Sequence, residues 1–138
     1  MDLRQLTDRF TVSPQIDVAH LHEIAGAGFR SILCNRPDGE EPGQCDYDSI
    51  AEAARAEGLE VCWIPVSGGV FSPQAIEEFR TALAEMPGPI LAYCRSGTRC
   101  TMLWALSQHG VMADQEIALR AAKAGYDVSG LLSRLRTR

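Results

Sequence analysis

The chain has 138 residues, room for one domain with one sizeable core. A hydrophobic share of 46%, a charged share of 22% and a formal net charge of -5 describe a globular protein and argue against a general nucleic-acid binder, which would carry a basic patch. No apolar run reaches bilayer length and the polar start is no signal peptide, so no membrane segment and a cytoplasmic location are expected.

The chain then alternates short apolar runs with helical patterns. Residues 10–12 read as a first strand. Ser13-Pro14 reads as an N-cap and a first-turn proline, opening a helix with Val18, Leu21 and Ala25 on one face. Residues 31–34 form a second strand. A turn-rich loop over 35–44 carries Pro37, Gly39, Pro42 and Gly43. Asp46 caps a helix with Ile50, Ala53 and Ala54 inward, ending at Gly58. Residues 60–64 make a third strand. Ser72-Pro73 repeats the cap-and-proline start, and Ile76, Phe79, Leu83 and Met86 keep helical spacing until Pro87-Gly88-Pro89 stops them. Residues 90–93 make a fourth strand, followed by a cysteine loop, a helix through His109 and two shorter helices, the last with Val128, Leu131, Leu132 and Leu135 on its apolar side.

This rhythm predicts one α/β domain over 1–138, with a mainly parallel sheet of about four strands and helices on both faces. Ligands bind such sheets beyond the strands' carboxyl ends. Three segments should therefore meet: Asn35-Arg36, residues 65–69, and the loop Cys94-Arg95-Ser96-Gly97-Thr98-Arg99 between the last strand and its helix.

That loop carries the chemistry. A helix N-terminus leaves backbone N–H groups without partners, and its dipole attracts an anion. Gly97 frees the loop backbone and clears side-chain bulk from the anion. Cys94, at the loop's start, should ionise below the ordinary thiol value of about 8.5 and act as nucleophile. Arg99 in the first helical turn opposes the dipole, which makes sense beside an anion. With the Arg95 to Arg99 amides it should stabilise negative charge, Ser96, Gly97 and Thr98 lining the cradle. Asn35 and Arg36 are candidate anion ligands from the neighbouring loop, Arg36 having the alternative of pairing with Asp38 or Glu40. Ser67, Gly68 and Gly69 could add backbone donors.

The five cysteines are odd in number, form no Cys-x-x-Cys pair and share no ligand spacing with His20, His22 or His109, so no disulfide framework, metal or cofactor is expected. Cys34 and Cys62 should be buried and inert, and Cys45 lies in a loop without an activating cation. Cys100, one turn into the helix, is a candidate redox partner of Cys94. Trp63, Trp104 and Phe79 read as core. His109 reads as a helix-end partner, and Arg134, Arg136 and Arg138 as a solvated helix end.

The run Tyr93-Cys94-Arg95-Ser96-Gly97-Thr98-Arg99 resembles the active-site loop of single-domain rhodaneses. It is also close to the Cys-x5-Arg loop of tyrosine and dual-specificity phosphatases, but its arginine comes one position earlier. Beyond the loop, Val12-Ser13-Pro14-Gln15, the stretch Asn35-Arg36-Pro37-Asp38-Gly39-Glu40-Glu41-Pro42-Gly43-Gln44, and Ile64-Pro65-Val66 resemble one family. It is the phosphatase-like domain of β-lactamase-hydrolase-like proteins, found alone or ahead of a metallo-β-lactamase-like persulfide dioxygenase. The resemblance implies a dual-specificity-phosphatase-like fold, and in that family Cys100 stands where a small hydroxyl residue is usual. Two departures from phosphatases bear on activity: Tyr93 precedes the cysteine where histidine is usual, and residues 66–72 hold no carboxylate where the general acid is usual. Asp38 or Glu40 could substitute.

The first expectation is therefore a rhodanese-like sulfurtransferase. Cys94 would carry a persulfide between a small anionic sulfur donor and a thiol acceptor, with a persulfide dioxygenase or sulfide-oxidising enzyme as the protein partner. The alternatives are a cysteine phosphatase working through phosphocysteine, and a non-catalytic thiol redox or anion-sensing module. The oligomeric state is left open.

Overall fold

The computed structural model describes residues 1–136, the Arg136 side chain excepted. Five strands form the sheet: β1 (Arg4–Thr7), β2 (Phe10–Ser13), β3 (Ser31–Cys34), β4 (Glu60–Trp63) and β5 (Ile90–Tyr93). Their order is β1-β2-β5-β3-β4, with β1 antiparallel to β2 and every other pairing parallel. Among the described residues six α-helices surround them: α1 (Leu21–Gly26), α2 (Tyr47–Ala56), α3 (Pro73–Glu85), α4 (Thr98–Gln108), α5 (Asp114–Lys123) and α6 (Ser129–Arg136).

β5 lies at the centre of the sheet and every residue of it is buried. Successive side chains point to opposite faces, which divides the core in two. Ile90 and Ala92 join Phe10, Val12, Phe79 and Trp104 in one cluster, while Leu91 and Tyr93 join Leu21, Ile24, Ile50 and Ala54 in the other. The parallel register is even: Ser13, Tyr93, Cys34 and Trp63 form one row across β2, β5, β3 and β4. The connections that follow these four residues all leave from the same edge of the sheet.

The expected four strands are β2 to β5. β1 adds a fifth, and its alternation was too faint to read, because Leu6 is its only buried residue. Asp46 and Ser72 cap α2 and α3 as expected, accepting from the Ser49 and Ala75 amides at 2.8 and 3.1 Å. Ser13-Pro14 does not open a helix. Ser13 ends β2, its hydroxyl donates to the Pro14 carbonyl, and Asp17 instead caps the 3-10 turn Val18–His20 that leads into α1. Val18 is exposed, and Leu21 and Ile24 carry the buried side of α1.

β4 is an edge strand, which corrects two further expectations. Trp63 is 39% exposed instead of core, its ring stacked on Tyr47 at 4.9 Å, and Cys62 is half-buried. His109 closes α4 and pairs with Asp114 at 2.7 Å. Of the arginine trio, Arg134 lies in α6, whereas the Arg136 side chain and Arg138 lie outside the described residues. Among the described residues no helix is long and apolar enough to cross a membrane.

Candidate active site

The cysteine loop leaves β5 at the centre of the strand row and turns into α4 at Gly97, whose φ of +90° is a left-handed conformation that disfavours any side chain. A Cβ at Gly97 would also strike the Tyr126 hydroxyl. That hydroxyl donates to the Ser96 carbonyl at 2.9 Å, so a residue beyond α5 fastens the outer side of the loop. On the inner side the Gln15 amide donates to the Arg95 carbonyl at 3.3 Å.

The loop wraps the Cys94 sulfur. The Gly97 N–H donates to Sγ at 3.1 Å. The Cys100 thiol is the largest stabilising partner of the thiolate, joined by the backbone amides of Cys100, Gly97 and Ser96; together they outweigh burial and bring Cys94 down to about 5. Cys94 is therefore a thiolate at neutral pH. It lies at the floor of the loop, 1% exposed, beneath the exposed residues Arg95, Ser96 and Thr98. Cys100 is fully buried, and burial and the neighbouring thiolate hold its thiol well above the ordinary range, protonated and donating. Burial pushes Cys34 up to about 11, and raises Cys45 and Cys62 as well. These three are poor nucleophiles.

Arg99 lies close by, and most of its donors are committed. Nη1 donates to Glu40 Oε2 at 2.7 Å and to the Val66 carbonyl at 2.8 Å, while Nη2 donates to Glu40 Oε1 at 2.8 Å. A guanidinium has five N–H groups. The Nε–H and one Nη2–H of Arg99 have no protein partner among the described residues, and that edge can take an anion.

The loop over 35–44 braces the site. Arg36 is 1% exposed. Its Nε donates to Glu40 at 2.8 Å, its Nη1 to the Gln15 side chain at 2.9 Å and its Nη2 to Glu41 at 2.9 Å. Asn35 is buried and joins strand exits: its amide donates to the Tyr93 carbonyl at 2.9 Å and its Nδ2 to the Ile64 carbonyl at 2.9 Å. Asn35 was expected as an anion ligand, and Arg36 either as an anion ligand or as a partner of Asp38 or Glu40. The structure shows the pairing for Arg36, which binds Glu40, Glu41 and Gln15, while Asn35 ties the exits of β5 and β4 together, so both brace the loops of the site.

The two proposed substitute acids are also accounted for. Arg99, with Arg36, holds the Glu40 carboxyl down to about 2, so it is ionised. Asp38 accepts from the Tyr47 amide at 2.8 Å. Pairing of Arg36 with Glu40 was an alternative in the sequence, but the ties from Glu40 to Arg99 and from Glu41 to Arg95 were missed because those partners are distant in sequence. The four-residue spacing of Arg36 and Glu40 was the one local signal. Tyr126 gave none.

Known proteins resemble the chain throughout. A family model described as "Beta-lactamase hydrolase-like protein, phosphatase-like domain" matches residues 2–111. A β-lactamase hydrolase-like protein of Xylella fastidiosa (strain Temecula1) is 36% identical over 130 residues, covering 93% of this chain and 30% of its own length. The chain thus spans about a third of that curated relative. A crystal structure from Neisseria meningitidis Z2491, described as a candidate phosphatase, is 34% identical with a TM-score of 0.88, covering 99% of this chain and 98% of its own. Tk-PTP in its active form shares the fold at 18% identity, with a TM-score of 0.73 over 99% of this chain and 97% of its own.

These likenesses correct the expected sulfurtransferase activity. That expectation rested on the five-residue interval from Cys94 to Arg99, on the absence of a general-acid carboxylate from residues 66–72 and on Tyr93 in place of histidine. The family match and the solved relatives run instead to phosphatase-like proteins over nearly the whole chain.

Proposed function

The chain belongs to the phosphatase-like domain family of the β-lactamase hydrolase-like proteins, and from that premise we propose that it is a cysteine-dependent phosphatase. The observation that carries this reading is an ionised sulfur among loop amides, with an arginine beside it that keeps two of its five N–H groups open. Cys94 Sγ attacks phosphorus; the S–P bond forms, the P–O bond breaks and the leaving oxygen takes the electron pair. Water then attacks the phosphocysteine, the S–P bond breaks, and the thiolate and dihydrogen phosphate are released.

Each support has a physical role. The loop amides and the α4 N-terminus stabilise the equatorial oxygens, charge that grows as the bonds loosen. The open Nε–Nη2 edge of Arg99 matches two phosphoryl oxygens, and Glu40 fixes the guanidinium plane so that the edge is presented without reorganisation. Because the sulfur is only 1% exposed, the exposed flank of the loop must yield as the phosphoryl group enters. Quenched incubation with an aryl phosphate tests the proposal: a phosphoryl adduct on the Cys94 peptide supports it. Absence of that adduct, or unchanged turnover in Cys94→Ser, refutes it.

A further inference from the structure

Breaking a P–O bond leaves negative charge on the departing oxygen. An enzyme either protonates that oxygen as it leaves or acts only where the oxygen is stable without a proton. The carboxylates around the cradle bear on which applies. Glu40 is forked to Arg99 through both oxygens, and Oε1 also accepts from Arg36. Glu41 accepts from Arg36 at 2.9 Å and lies 3.7 Å from the Arg95 guanidinium. Both are bound as anions by cations. The third edge of the site, the exit of β4, reads Val66-Ser67-Gly68-Gly69-Val70-Phe71-Ser72 and contains no ionisable side chain. Its contribution to the cradle is the Val66 carbonyl, an acceptor.

The histidines are placed elsewhere. His22 pairs with Glu57 and His109 with Asp114. His20 is the nearest in kind: it lines a cavity of about 330 Å³ beside Gln15, Arg36 and Glu41, and its Nδ1 accepts from the Asp17 amide at 3.0 Å. The site is thus rich in cations and N–H donors to oxyanions, the carboxylates of Glu40 and Glu41 are spent as counter-ions, and Asp38 faces the Tyr47 amide at the start of α2.

We propose that this chain transfers phosphoryl groups without a proton donor, and so takes only phosphates whose leaving oxygen departs as a stable anion: aryl phosphates, acyl phosphates and phosphoanhydrides. This rests on the phosphatase reading and narrows its substrate class. Alkyl phosphates of the phosphoserine kind lie outside it. The departing oxygen leaves with the P–O electron pair and takes its proton from bulk water afterwards. Arg95, an exposed cation of the loop held only loosely by Glu41 at 3.7 Å, can meet the oxyanion as it forms.

The experiment is a series of substituted phenyl phosphates whose phenols range in pKa from about 4 to 10, read as kcat/KM at neutral pH together with the Cys94 phosphoryl adduct. An alkyl phosphate and acetyl phosphate serve as end members. The expected result is a fall in kcat/KM of about tenfold per unit of phenol pKa, rapid turnover of acetyl phosphate and none of the alkyl ester. A flat series with adduct present overturns the proposal. A flat series that becomes steep in His20→Gln also overturns it, and identifies His20 as the donor. No adduct even with the most acidic phenol refutes the phosphatase reading itself, a separate outcome from either slope.

Discussion

Replacing Cys100 by alanine isolates the side-chain contribution to the Cys94 thiolate, because the Cys100 backbone amide remains in place. The Cys100 thiol is the largest of the groups that bring Cys94 to about 5. A hydrogen bond to a charged group contributes about 1.5–3 kcal/mol, and one pKa unit is about 1.4 kcal/mol, so Cys100→Ala should raise Cys94 by about one to two units. At pH 6 the thiolate fraction then falls from about nine-tenths to between a half and a tenth. Cys100→Ser supplies an O–H donor in the same place and should stay within about half a unit of the parent. The assay is the pH dependence of iodoacetamide alkylation, resolved at the Cys94 peptide by mass spectrometry, on variants whose circular dichroism shows them folded. If Cys100→Ala titrates like the parent, the thiol is not a donor to Cys94 and the backbone amides alone hold the anion.

Other perturbations test the remaining supports. Arg36→Met removes the buried partner of two part-exposed carboxylates, one of which keeps Arg99, and should cost about 1–3 kcal/mol, read from urea midpoints. Glu40 titrates lower in the folded chain than unfolded, so its stabilising contribution is present above about pH 4.3 and is lost as pH falls towards about 2. Glu40→Gln should remove that acid-side slope in urea titrations taken between those values. Gly97→Ala combines a φ of +90° with a collision at the Tyr126 hydroxyl and should abolish the phosphocysteine adduct. Adding Tyr126→Phe relieves the collision alone, so the double variant should recover part of the lost stability and little of the adduct.

The sequence made the centre of the site legible and its surroundings less so. A strand, a glycine that must adopt positive φ and a helix start stand next to one another in the chain, so the Cys94 cradle could be placed from local physics. Asp46 and Ser72 were readable for the same reason. Ser13-Pro14 carries the same signature as Ser72-Pro73, yet pairing with β5 holds Ser13 as strand, and tertiary structure overrides the local signal. Trp63 looked like core because a lone strand does not reveal whether it lies at an edge. The ties from Glu40 to Arg99 and from Tyr126 to Ser96 join residues 59 and 30 positions apart, which no spacing rule reaches. The nature of the transferred group was misjudged from the loop interval and from the missing general acid, because an anion cradle serves sulfur and phosphoryl chemistry alike.

The Tyr126 hydroxyl has a consequence for where this chain can be cut. Its clasp on the Ser96 carbonyl comes from the segment after α5, so a shortened version ending before residue 126 could keep the whole sheet and every residue of the nucleophilic loop while losing the latch on its outer wall. Such a fragment would be intact by inventory and slack in the one turn whose tightness matters, and trimming for crystallisation or fusion should leave that tail attached.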